Sequence, residues 1–173
     1  MSRRALVTGL ALATMVFASE SHAQSTAAST GTWYRKSRAL EITGANPRDS
    51  VVLTALGKRA DSLSISMAFY VGGVVKHRQR WPSEDELYDN DELKKSPAKL
   101  NAFMRRRLDD ILTMVKRDTI NRELVKHMGD EALLRRIAPR PTHQVMFSFA
   151  FETSTFLVWD PVRRRLRVFM ECC

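Results

Sequence analysis

The chain has almost no cysteine: two in 173 residues, Cys172 and Cys173, both at the very end. Its core must therefore form without staples, and a thiolate metal site is not expected, because two thiolates need further ligands and none stands near them in sequence. Also missing is any long apolar run beyond the first two dozen residues. No later segment reaches the roughly 20 apolar residues that a spanning helix needs. There is no Gly-rich phosphate loop, no Gly-x-Ser-x-Gly and no His-x-x-x-His; Gly72-Gly73 stands between two strand-like runs, as a hairpin turn. Serine-hydrolase, nucleotide and zinc-enzyme motifs are thus all lacking. That lowers the expectation of an enzyme without abolishing it, since catalytic groups often converge only in three dimensions. No catalytic residue, metal or cofactor is assigned. Internal repeats, heptads and domain-splitting linkers are absent too.

What is present begins with an export signal. Ser2, Arg3 and Arg4 give a positive start, Ala5 to Ala18 an apolar run, and Ser21-His22-Ala23 small residues at the minus-three and minus-one positions. This is the anatomy of a cleavable signal peptide over residues 1–23. The apolar run is too short for an anchor and is followed by polar Ser19, Glu20, Ser21 and His22. No cysteine near Ala23 can accept a lipid. The expected product is periplasmic or secreted, begins at Gln24, and has no transmembrane segment. It has the size of one ordinary domain. Cleavage removes Arg3, Arg4 and Glu20, so the formal charge falls from +9 to +8. Such a surplus attracts anionic envelope polymer, an anionic lipid surface or an acidic protein. Nucleic acid is disfavoured by export and by the lack of aromatics interleaved with the charge.

Export gives the cysteines their interest, because free thiols seldom persist in an oxidising compartment. Adjacent Cα atoms lie about 3.8 Å apart, below the usual disulfide range of about 4.4–6.8 Å. A Cys172–Cys173 bond would be strained and readily reduced, which motivates a thiol-active or redox-sensing reading. The alternatives are an intermolecular bridge, a cap by a small thiol, or two reduced thiols.

Residues 24–31 carry no large apolar side chain and read as a flexible leader; 32–173 read as a single α+β domain. Over 32–60 only a short strand, Val51–Leu56, is assigned. From Ser62 the alternation is clear: Leu63, Ile65, Met67, Phe69 and Val71 take one face of a strand. Val74–Trp81 returns. A two-residue loop pairs Val71 with Val74 and sets Lys76, Arg78 and Arg80 opposite the apolar set. A three-residue loop instead sets His77, Gln79 and Trp81 there, and is preferred because it keeps three basic heads out of the core.

Ser83 with Glu86 forms a capping box for a short helix. Ser96-Pro97 starts a long one, about Pro97–Lys116, with Leu100, Phe103, Met104, Leu108, Ile111, Leu112 and Val115 on one stripe. Thr119 caps a second helix, Ile120–Met128, and Asp130 a third, Glu131–Ile137. Val145–Phe151, Thr155–Trp159 and Leu166–Cys172 return to period two. The expected fold is a mainly antiparallel sheet, from two hairpin regions, packed on a long central helix with two shorter helices.

The anion-binding candidates are Lys76, Arg78 and Arg80 on one strand and Arg165 and Arg167 on another; neighbouring strands would join them in a basic stripe. Arg105-Arg106-Arg107 cannot all face one ligand, since they span about 200° of a helix. The acidic run Glu84, Asp85, Glu86, Asp89, Asp91 and Glu92 lacks the Gly-centred rhythm of a calcium loop and reads as a solvated face. His77, His127 and His143 are scattered, with a Cys172/His143 dyad open only if the fold brings them together.

Overall fold

Period-two alternation becomes two four-stranded antiparallel sheets. The computed structural model describes residues 31–43, 48–87, 91–137, 143–150 and 153–172. Residues 1–23, read above as a signal peptide, the expected leader up to residue 30, Asp89, Arg140, Phe151 and Cys173 lie outside the described residues. Sheet A runs in the order β1 (Thr32–Ala39), β2 (Ser50–Leu56), β3 (Ser64–Val71), β4 (Val74–Pro82). Sheet B runs β5 (Lys116–Thr119), β6 (His143–Phe149), β7 (Thr153–Asp160), β8 (Arg165–Cys172). Between them come α1 (Asp91–Lys94) and α2 (Pro97–Met114), and within sheet B's span α3 (Arg122–Met128) and α4 (Glu131–Ile137). The class is α+β as expected, but the strands form two sheets, with edge strands β4 and β8 lying alongside one another.

One apolar cluster joins both sheets and α2. Val51, Leu53, Ala55, Ile65, Met67 and Phe69 have no exposed surface, and neither do Met104, Leu108 and Ile111 on the predicted helix stripe. Aromatic rings bridge the sheets: Phe69 meets Phe147 at 5.1 Å between centroids, and Trp81 meets Phe149 at 5.0 Å. A second cluster, Val125, Leu133, Ile137, Phe156, Val158, Phe169 and Met170, fills the other face of sheet B beneath α3 and α4. Sheet B is therefore covered on both faces, whereas no described helix packs on the outward face of sheet A.

The β3–β4 hairpin reconciles the two registers that its sequence allows. Gly72 and Gly73, at φ 60° and 83°, form the tight two-residue loop, and Val71 pairs with Val74. Tyr70 then pairs with Val75 but Phe69 with His77, so Lys76 is the extra residue of a β-bulge. The bulge turns His77, Gln79 and Trp81 toward the core and Arg78 and Arg80 away from it. Thus the preferred facing is right, and the loop length expected to produce it is not.

Four local expectations are corrected. Residues 32–39, left unassigned, form β1; Tyr34 Oη donates to Asp109 Oδ1 at 2.7 Å, Lys36 Nζ to the same oxygen at 2.7 Å, and Arg38 Nη1 to Thr113 O at 3.0 Å. The inner face of this edge strand is polar because it meets the polar flank of α2. Lys116–Thr119 is strand, and Asn121 rather than Thr119 caps α3, its Oδ1 accepting from Leu124 N at 3.1 Å. Asp130 does cap α4, accepting from Leu133 N at 2.8 Å. The Ser83–Glu86 box does not form: the segment is a 3-10 turn whose Ser83 Oγ accepts from Leu63 N.

Glu86 overturns the reading of its acidic run as a solvated face. Its side chain is fully buried, while Glu84, Asp85 and Glu92 are exposed. Trp81 Nε1 and Ala150 N donate to Oε1, each at 2.7 Å, and Arg107 Nε donates to Oε2 at 2.8 Å. A buried carboxylate needs such a full set of donors, one of them charged, to offset its desolvation. Glu86 ties the end of β4, α2 and the β6–β7 turn at one point.

Candidate basic sheet face

The four strands of sheet A carry Arg35, Lys36, Arg38, Lys76, Arg78 and Arg80 and not one Asp or Glu. Alternation divides these cations between faces. Lys36 and Arg38 lie opposite buried Leu53 and Val51 and are spent on α2. Arg35, Arg78 and Arg80 point outward and are exposed, and no ion pair engages them among the described residues.

Strand register orders the outward face into rows. Arg35, Thr54, Ser66 and Arg80 form one row across all four strands, and Ser37, Val52, Ala68 and Arg78 form the next. Three strand spacings separate Arg35 from Arg80, about 14 Å. The floor between them consists of small and hydroxyl-bearing side chains, so an extended ligand can approach the sheet closely. Over β1 and β2 the face opens into a hollow of about 530 Å³, lined in part by Arg35, Ser37, Ala39, Arg48, Ser50 and Val52. Asp49, the acid at this hollow, is buried and occupied: Thr43 N and Oγ1 donate to Oδ2 at 3.0 and 2.8 Å, and Gly72 N to Oδ1 at 2.9 Å.

Of the residues singled out from sequence, Arg78 and Arg80 belong to this face. Lys76 sits at the bulge, partly buried, out of step with them. Arg165 and Arg167 flank Leu166, which joins the shared core, so both point away from that core on β8, the strand beside β4. They differ in access. Arg165 is exposed, whereas Arg167 is partly buried, its Nη1 without a hydrogen-bond partner. Arg167 lies near Asp160, whose carboxyl is held below its usual range first by the Arg163 N–H, then by the Val162 N–H and the nearby Arg163 and Arg167 charges, against the opposing effect of burial. Arg35 was missed because the inner residues of β1 are polar, which hides its alternation.

The thiol candidates do not converge on a base. Cys172, in β8, is half-buried, pairs with Ser154 of β7 and packs against the cluster under α3 and α4, with no disulfide; Cys173 lies outside the described residues. Ser154 pairs in turn with Ser148, five residues along β6 from His143, about 17 Å of strand. A Cys172/His143 dyad is thereby excluded. His127 and His143 are exposed, while His77 faces Phe69 at 6.0 Å. Arg105 lies 4.5 Å over the Trp33 ring, Arg107 binds Glu86 and Arg106 is exposed, so the consecutive arginines do turn to different partners. Among the described residues no group of three or more His, Cys, Asp or Glu could hold a metal, and no helix is long and apolar enough to cross a membrane. In comparisons with known proteins, no family model, no curated protein and no solved structure matches the chain.

Proposed function

We propose that this is an exported, non-enzymatic envelope protein that binds an anionic polymer on the outward face of sheet A. The observation that carries the reading is the pairing of exposed Arg35, Arg78 and Arg80 with four strands devoid of acid. Guanidinium groups match phosphate, sulfate and carboxylate in bidentate geometry. The Thr54, Ser66 and Ser37 hydroxyls between them can hydrogen-bond the same groups or a sugar. Arg165 is exposed on β8, the strand beside β4. Export rests on the positive, apolar and small-residue order of residues 1–23. The thiol-active reading has less support, since Cys172 is half-buried in a strand and far from His143.

Heparin retention tests the reading. The protein should be held and released by salt, because the contacts exchange with counterions. Arg35→Glu with Arg80→Glu should elute at clearly lower salt, while Arg106→Glu with Arg164→Glu, the same charge change elsewhere, should elute later than that pair. Equal shifts for both pairs, or retention indifferent to salt, would sink a face-specific site.

A further inference from the structure

A second concavity lies on the far side of sheet B, where α3 meets α4. Its floor is apolar, made by Ile120, Val125 and Leu134; Val125 belongs to the second core cluster and the other two pack against it. Its rim is basic: Arg122, Lys126 and Arg135, with Glu131 the single acid. The volume is about 110 Å³. Pockets for drug-sized small molecules begin near ~300 Å³, whereas a dry cavity of ~150 Å³ holds one benzene-sized group. The hollow therefore suits one large apolar side chain.

The rim states what chemistry should flank that side chain. Lys126 is paired with Glu123 and Arg135 with Glu131, each at 2.7 Å and each between neighbouring turns on an exposed surface. Such pairs are worth little, so both cations can exchange to an incoming carboxylate at small cost. Arg122 is exposed and has no ion pair among the described residues. An apolar anchor ringed by exchangeable charge is the usual anatomy of a peptide-binding hot spot.

We infer that the α3–α4 hairpin is a docking site for an acidic segment of a partner polypeptide, which inserts one aliphatic or aromatic side chain between Val125 and Leu134. The site is separate from the basic sheet face and does not rest on that reading.

The test is NMR of the 15N-labelled whole chain titrated with two end-blocked peptides, Asp-Glu-Leu-Glu-Asp and the same peptide with Ala at its centre. Shifts should concentrate in residues 120–135, and the Leu peptide should bind about tenfold or more tightly than the Ala peptide. Arg122→Glu with Lys126→Glu, both exposed, should weaken both peptides. Gly129→Ala gives a second control, because its Cβ would stand 2.8 Å from Val125 Cγ1 and displace the pocket wall; the preference for Leu should then disappear. Equal binding of the two peptides, shifts centred on β1–β4, or octanoate perturbing residues 120–135 while neither peptide does, would each overturn the inference.

Discussion

Single residues in this protein do work that their neighbours in sequence do not reveal. Glu86 stands in an acidic run yet accepts three hydrogen bonds in the core. Glu86→Gln puts an amide N–H₂ against donors and removes the buried negative charge that Arg107 Nε meets, so it should lower stability by about 3–5 kcal/mol, read from urea denaturation. An unchanged midpoint would mean that the Glu86 cluster is not formed. His77 is a second case. Burial pushes its imidazole below the usual 6.5, and its Nε2 has no hydrogen-bond partner. The unfolded chain then binds a proton that the fold refuses, so stability falls as pH drops below about 6.5 toward the folded value. His77→Phe should flatten that dependence, compared by urea midpoints at about pH 7 and about pH 5. A slope as steep as that of the parent protein would assign it to other groups.

Among the elements, β4 and α2 carry the clearest consequences. The bulge at Lys76 decides which side of β4 faces the core. Lys76→Thr should change stability by no more than about 0.5 kcal/mol, as for other substitutions outside the core. Deleting Lys76 removes only that extra residue: His77 through Trp81 keep their partners on β3, Arg78 and Arg80 stay outward, and the cooperative thermal transition should persist. Loss of the cooperative transition on deletion would mean that Lys76 is not the extra residue. On α2, Leu108 has no exposed surface, and Leu108→Ala should cost roughly 2–5 kcal/mol as a large-to-small core change.

The whole molecule places its charge unevenly. Sheet B is covered on both faces and sheet A on one, so the free sheet surface is also the one without acid. Polyanion retention should accordingly follow the identity of the face rather than net charge. A further expectation concerns the whole chain after export: intact-mass spectrometry should give a product beginning at Gln24, and thiol blocking with and without reductant should reveal how Cys172 and Cys173 are paired. A mass that retains residues 1–23 would remove the export proposal. A disulfide-linked dimer would turn attention to assembly.

Sequence alone was enough for the elements whose pattern is a repeat: the alternation of Ile65, Met67 and Phe69, the stripe from Leu100 to Leu112, the cap at Asp130. These signals are local, because a strand or helix face repeats every two or 3.6 residues wherever it packs. Only the tertiary structure decided the rest. β1 was illegible because its inner residues meet the polar flank of α2. Glu86 looked solvated because its three partners come from β4, α2 and the β6–β7 turn, as far as 64 positions away in sequence. The basic face needed the same long-range pairing, since Arg35 and Arg80 become one row only through the intervening Thr54 and Ser66.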